Sequence, residues 1–115
     1  MSVACAHILI KYNGSRNPRS WRDPQGARIM KTTLEEAQAQ MASIRQDIVD
    51  GKVTFYAVAQ QISDCGSAQN QGQLGHFTRG QMQKQFEDAA FALNVGQISD
   101  IVVSDSGVHI IYRYE

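Results

Sequence analysis

Net charge is the first thing this chain lacks. It carries 11 basic and 11 acidic residues and a formal net charge of +0. No global field therefore draws it to nucleic acid or to an anionic membrane, and neither is expected as a partner. Long apolar runs are missing as well. Nothing approaches the roughly 18 consecutive residues that cross a bilayer, and Met1-Ser2-Val3-Ala4 is too short for an export signal. Cysteine is scarce, with 2 in 115 residues and no Cys-x-x-Cys pair. That excludes a disulfide-dense scaffold and predicts free thiols in a reducing compartment, cytoplasmic or nuclear. The 3 histidines, His7, His76 and His109, are scattered, so a zinc site is not expected. Internal repeats and low-complexity segments are also absent.

What is present suits a single domain over residues 1–115, expected to be monomeric. A chain of this length buries roughly two-thirds of its unfolded surface and needs no metal or cross-link to fold. Residues 3–12 read as a strand with Cys5, His7, Leu9 and Lys11 on one face and Ala4, Ala6, Ile8, Ile10 and Tyr12 on the other. Residues 13–31 read as a loop holding both prolines and a basic cluster of Arg16, Arg19, Arg22, Arg28 and Lys31, opposed only by Asp23. Ordered loops of that length are often functional.

A helix is predicted over 33–50. Thr33 and Glu36 form a capping box, Leu34, Ala37, Met41, Ile44 and Ile48 make one apolar face, and Gly51 ends it. A second helix starts at Thr54 and buries Phe55, Val58, Ala59 and Ile62; residues 64–72 are loop-like, and Leu74–Phe77 is a short strand. Met82, Phe86 and Leu93 mark a third helix closed by Gly96, and Ile101–Val103 with Val108–Tyr114 form a hairpin across Asp105-Ser106-Gly107. Strands interrupted by helices and ending in a hairpin argue for an α+β fold with one helix-covered sheet.

Three groups of residues carry chemistry. His7 and His109 sit mid-strand among apolar neighbours, where a histidine pair hydrogen-bonds within the core or, if the first and last strands adjoin, couples on one face. Cys65 follows Ser63-Asp64 at a helix-to-loop junction. It is either a small buried hydrophobe or a thiol with thiolate character beside a histidine. Lys11 shares the His7 face, and Arg16 and Arg19 follow it, so a cationic rim would favour an anionic group such as phosphate. Leu74, Met82 and Phe86 supply apolar surface for either core or pocket.

In order along the chain, Ala6-His7-Ile8-Leu9-Ile10-Lys11, Ser15-Arg16-Asn17-Pro18, Ser20-Trp21-Arg22, Ser63-Asp64-Cys65, Gly72-Gln73-Leu74-Gly75, Arg79-Gly80-Gln81-Met82-Gln83-Lys84, Phe86-Glu87-Asp88-Ala89 and Asp105-Ser106-Gly107-Val108-His109-Ile110-Ile111 make a specific set. The set resembles the parvulin family of peptidyl-prolyl cis-trans isomerases, in its Pin-type, phosphorylation-directed branch. That resemblance implies a parvulin (FKBP-like) fold: a four-stranded antiparallel sheet surrounded by about four helices. It implies isomerisation of X-Pro bonds without a cofactor, on phosphorylated Ser/Thr-Pro proteins or peptides. His7, Cys65, His109 and Ser106 take the catalytic positions, Leu74, Met82, Gln83 and Phe86 the proline pocket, and Lys11 and Arg16 the phosphate site, with Arg19 a further candidate. Where Pin-type enzymes commonly carry a second arginine, this chain has Asn17. No WW domain is expected, because the first strand begins at once and Trp21 is the only tryptophan. Two other readings stand beside this one. One is a phosphopeptide-binding module with vestigial catalysis; the other is a thiol hydrolase using Cys65, a histidine and Asp64 or Asp105.

Overall fold

The computed structural model describes residues 1–115. Strand β1 (Val3–Ile10) leads through a long loop to a short helix α1 (Ala27–Met30), then to α2 (Leu34–Val49) and α3 (Phe55–Ile62). A 3-10 turn over Gly66–Asn70 precedes β2 (Gln73–Phe77), α4 (Lys84–Phe91), and the hairpin of β3 (Val102–Ser104) and β4 (Gly107–Arg113). The strands form one sheet in the order β2-β1-β4-β3, and every pairing is antiparallel.

β1 is central, and all of its residues are buried. Its period-2 alternation feeds two cores. Ala6, Ile8 and Ile10 pack with Ala37 and Met41 of α2 and Phe55 and Ala59 of α3. Val3 and Cys5 pack on the opposite face with Phe77, Phe86, Ala90 and Ile111. Each fully buried Ile is worth about 1.5–3 kcal/mol of hydrophobic stabilisation, so the β1 stripe anchors both layers.

α2 begins at the capping box read in the sequence, with Thr33 Oγ1 accepting from Glu36 N and Glu36 returning the bond to Thr33 N. It ends at Val49, with Gly51 in the left-handed conformation just beyond. Several boundaries differ from the sequence reading. β1 stops at Ile10 rather than Tyr12. The loop contains α1, whose first amides, Arg28 N and Ile29 N, are capped by the Asp23 carboxylate. α4 starts at Lys84, with Met82 and Gln83 ahead of it. Gln83 takes an extended ψ of 145° because its side chain bridges to the β3–β4 turn, accepting from Asp105 N and donating to Ser106 Oγ. α4 also ends at Phe91, well before Gly96.

Candidate active site

β1's edge explains how the site is assembled. β2 pairs only with Val3–Ala6, and the register shifts at Cys5/Ala6. The amides of His7, Leu9 and Lys11 on that edge would otherwise lack strand partners, which is costly when buried. Three groups replace the missing strand. Gly72 O accepts from His7 N at 2.9 Å, Ser63 Oγ accepts from Leu9 N at 3.0 Å, and Asp64 Oδ2 accepts from Lys11 N at 2.9 Å. Asp64 N in turn donates to Leu9 O at 2.7 Å. Gly72 must be glycine: its φ is +81°, and a Cβ there would meet His7 O at 2.5 Å. These contacts set the Ser63-Asp64-Cys65 segment alongside β1 and bring Cys65 to the face that carries His7.

His109 reaches the same face from β4. Leu9 opposes His109 and His7 opposes Ile111, so the two histidines are diagonal neighbours across the β1–β4 ladder. Their Nδ1 atoms lie 3.0 Å apart, and His109 Nε2 lies 2.7 Å from Ser104 Oγ. Phe86 stands edge-on to both imidazoles, with centroids at 5.4 Å from His7 and 5.2 Å from His109. Burial and the neighbouring charge of His7 push the His109 pKa down to about 3, so His109 is neutral at physiological pH.

Two adjoining cavities open here. The first, about 180 Å³, is lined by Leu74, Met82 and Phe86, by His7, His109 and Cys65, and by Gln83, Ser104 and Ser106. Its volume is well below the roughly 300–1,000 Å³ of sites for drug-sized ligands. It suits one compact ring. The second, about 240 Å³, has Lys11, Arg16, Asn17 and Asp64 in its walls and shares Cys65 and Ser106 with the first. A larger cleft of about 350 Å³, between Met1, Thr78, Arg79 and Phe91, contains no histidine, thiol or carboxylate and carries no comparable chemistry.

Every sequence-predicted residue of the proline pocket and catalytic set thus lines the first cavity, and Lys11 and Arg16 line the second. Arg19 lines neither. Its side chain runs beside Gly26, and it serves the rim through its backbone carbonyl, which accepts from Lys11 Nζ at 2.6 Å. Asn17 O accepts from the same ammonium at 3.0 Å. Ser104, which the sequence reading did not select, holds the outer nitrogen of His109; only its position two residues from Ser106 in the hairpin signalled it. No Cys–His–Asp relay exists. Both Asp64 carboxylate oxygens are taken by Lys11 N, Ser20, Arg22 and Arg28, and the Nδ1 of His7 faces His109.

The thiols differ sharply. Burial pushes Cys5 up to about 11, against a smaller lowering by Arg113, so Cys5 is an inert core residue. Burial also raises Cys65, but hydrogen bonding and charge from His7, with hydrogen bonds from Ser67, outweigh it and bring the thiol down to about 6. Two buried side-chain atoms lack a closed hydrogen bond, His7 Nε2 and Ser67 Oγ. They belong to the two residues that lower the Cys65 thiol, and with no other partner engaged both are free to turn to the sulfur.

The same architecture and motif order recur in known proteins. A family model, the rotamase or PPIC-type PPIase domain, matches residues 7–115. The peptidyl-prolyl cis-trans isomerase Pin1 of Arabidopsis thaliana is 60% identical over 111 residues, 96% of this chain and 93% of the relative. The peptidyl-prolyl cis-trans isomerase ESS1 of Saccharomyces cerevisiae is 44% identical over 113 residues, 96% of this chain and 64% of the relative. Among solved structures, peptidyl-prolyl isomerase ESS1 from Candida albicans superposes with a TM-score of 0.94 at 41% identity, covering 99% of this chain and 63% of that one. The TbPIN1 structure gives 0.89 at 46% identity, covering 99% and 97%. With a catalytic-type cavity, a matching four-stranded fold and a family model spanning nearly its whole length, the chain belongs to the PPIC-type peptidyl-prolyl cis-trans isomerases.

Proposed function

We propose that this isomerase prefers prolyl bonds preceded by phosphoserine or phosphothreonine, with the proline ring in the first cavity and the phosphate in the second. The observation that carries the reading is the shared wall. An apolar cavity sized for one ring and a cavity with Lys11 and Arg16 in its walls adjoin at Cys65 and Ser106. Consecutive residues of one extended peptide can occupy both. A phosphate brings nearly two negative charges at neutral pH and three acceptor oxygens, which a guanidinium and an ammonium complement.

The catalytic problem is rotation about an amide, with a barrier near 18–20 kcal/mol. The barrier comes from resonance, so no bond to the substrate needs to form. In the planar amide the carbonyl oxygen carries extra negative charge and the nitrogen extra positive charge; twisting removes both. A thiolate at Cys65 beside the carbonyl repels the planar form more than the twisted one. Leu74, Met82 and Phe86 grip the ring and keep water from the carbonyl, and fixed dipoles act more strongly in such a dry site. Gln83 and Ser106 offer polar contacts along the rim, and His7 and His109 hold the wall and set the charge of Cys65. Each 1.4 kcal/mol of selective stabilisation gives about tenfold in rate.

Free thiols at Cys5 and Cys65 suit the reducing cytoplasm or nucleus, where proline-directed phosphoproteins would be the partners. Magnetisation-exchange NMR on matched pSer-Pro and Ser-Pro peptides tests the reading. A clear excess of catalysed exchange on pSer-Pro is expected. Equal rates on the two peptides would remove the phosphate preference, and tight binding of pSer-Pro without exchange would make the site a binding module.

A further inference from the structure

The basic segment between residues 11 and 31 does not act as one cationic surface. Its charges divide, and a single buried carboxylate divides them. Asp64 has no exposed side-chain surface. A carboxylate in that position is tolerated only when its acceptor sites are filled by donors and its charge is matched. Oδ1 receives Ser20 Oγ at 2.9 Å, Arg22 Nε at 3.1 Å and Arg28 Nη2 at 2.6 Å; Oδ2 receives Lys11 N at 2.9 Å. All four donors come from the end of β1 or the loop that follows it. Beside them, Trp21 Nε1 donates to Ser63 O at 2.7 Å.

The loop is therefore pinned at its middle and at α1 to the residue that precedes Cys65. Its near end is tied elsewhere: Arg16 N donates to Asp105 O at 2.7 Å, on the β3–β4 turn beside Ser106. Between these two anchors the chain forms an arch whose first residues, Arg16 and Asn17, stand in the wall of the second cavity. Lys11 Nζ braces the arch by donating to the carbonyls of Asn17 and Arg19. Arg22 and Arg28 neutralise Asp64, so the carboxylate in the cavity wall does not repel an incoming anion, and Lys11 and Arg16 are left to face it.

We propose that Asp64 is a positioning residue for substrate selection: it holds the 11–31 loop in the arch that aims Lys11 and Arg16 at the second cavity, and Arg22 and Arg28 are anchors rather than ligands. This rests on the reading of that cavity as a phosphate site. Asp64→Asn is the direct test. The amide removes the charge that holds two guanidiniums and leaves at most one oxygen acceptor, so Lys11 N and the loop donors can no longer all be satisfied.

Two readouts are needed. The first is kcat/KM on pSer-Pro and Ser-Pro peptides by exchange NMR. Their ratio is expected to fall about tenfold in Asp64→Asn, through KM for the phosphorylated peptide rather than through kcat. The second is amide hydrogen exchange at Lys11, Gly26, Arg28 and Ile29, where protection is expected to drop by tenfold or more while β4 stays protected. Proportional loss on both peptides, or an unchanged ratio with an intact loop, overturns the proposal. If Asp64→Asn fails to fold, Arg28→Met replaces it; that change cuts the 2.6 Å contact on a partly exposed side chain. It should lower the ratio in the same direction, Arg28→Lys should restore most of it, and no change in the ratio overturns the proposal. If the wild-type enzyme shows no phosphate preference, the phosphate reading fails on its own, and loop exchange in Asp64→Asn still decides whether Asp64 holds the arch.

Discussion

His7 and His109 present their Nδ1 atoms to each other at 3.0 Å, although 102 residues separate them in the chain. Two lone pairs cannot face at that distance, so one proton lies between them and the two rings must differ in state. His109 is the ring kept neutral, by burial first and by the charge of His7 second. With its single proton on Nε2 it donates to Ser104 Oγ, which also accepts from Ser106 N at 3.2 Å. Its Nδ1 then accepts from His7, and His7 Nε2 is left for Cys65. On this assignment one hydrogen-bonded chain links the β3–β4 turn to His7, whose Nε2 is left without any other partner beside the thiol.

That chain predicts an acid-sensitive fold. Unfolded His109 takes up a proton below about 6.5, whereas the folded residue resists until about 3. Between those values the unfolded state binds more protons, so stability falls as pH falls, by at most about 1.4 kcal/mol per pH unit for one proton. The contribution is fully present above 6.5 and lost on the way to 3. Denaturant unfolding at pH 7, 6 and 5 should show a steeper decline for the wild type than for His109→Gln. Equal slopes would mean that His109 is not the group responsible.

Cys65 gives a second, sharper pH signature. Its thiol titrates near 6 where an ordinary thiol has 9.0, because His7 and Ser67 outweigh the opposing effect of burial. Alkylation by iodoacetamide should therefore rise through a midpoint near 6 and be confined to Cys65, since Cys5 is buried and raised to about 11. His7→Leu removes the stabilising partner and leaves burial in place, so the midpoint should move upward by well over one unit. Mass spectrometry against pH reads both effects. A midpoint unmoved in His7→Leu would detach the thiol from the histidine.

Much of this site was legible in the sequence because it lies on regular elements. The alternation in β1 placed His7 and Lys11 on one face, and the capping box at Thr33 and the hairpin around Asp105 needed only local rules. The misreadings occur where a long-range contact overrides a local pattern. Met82 and Phe86 share a helical spacing, yet Met82 lies outside α4, because the Gln83 side chain is held by Asp105 N and Ser106 across the cavity. Arg19 stands in the sequence as a further candidate beside Arg16, but it lines neither cavity and reaches the rim through its carbonyl. Ser104 and the anchoring role of Asp64 depend on pairings 5 to 53 residues apart in sequence, and no local periodicity reports those.

Arg16 should govern selection between substrates. It lines the second cavity and pairs with no carboxylate, unlike Arg22 and Arg28. A charge-assisted hydrogen bond of the usual strength predicts that Arg16→Ala lowers kcat/KM on pSer-Pro by roughly tenfold more than on Ser-Pro. The backbone tie of Arg16 N to Asp105 O survives the substitution, so the loop should keep its path. Raising the salt concentration should shrink the wild-type preference toward that of the variant, because an exposed charge pair is screened. A preference insensitive to both changes would assign phosphate recognition to other groups.

The remaining prediction separates charge from nucleophilicity at Cys65. If the sulfur acts by forming a bond, it adds to the carbonyl carbon to give a tetrahedral adduct that collapses again with the C–N bond intact, and that adduct should be trappable. If it acts by its charge, any small anion at this position should serve. Cys65→Ser keeps the shape but cannot ionise near neutral pH, and is expected to lose on the order of tenfold or more in kcat. Cys65→Asp restores an anion beside His7 and should recover most of the loss. Wild-type activity should also follow the thiolate, rising as pH increases through about 6. A Glu-Pro peptide is the substrate for that profile, because its carboxylate is already ionised there, whereas a phosphate titrates in the same range. Full activity in Cys65→Ser would show that the charge is dispensable. An inactive, folded Cys65→Asp together with a tetrahedral carbonyl adduct on Cys65 that keeps the C–N bond would establish covalent isomerisation, and a thioester with released prolyl amine would make the enzyme a hydrolase.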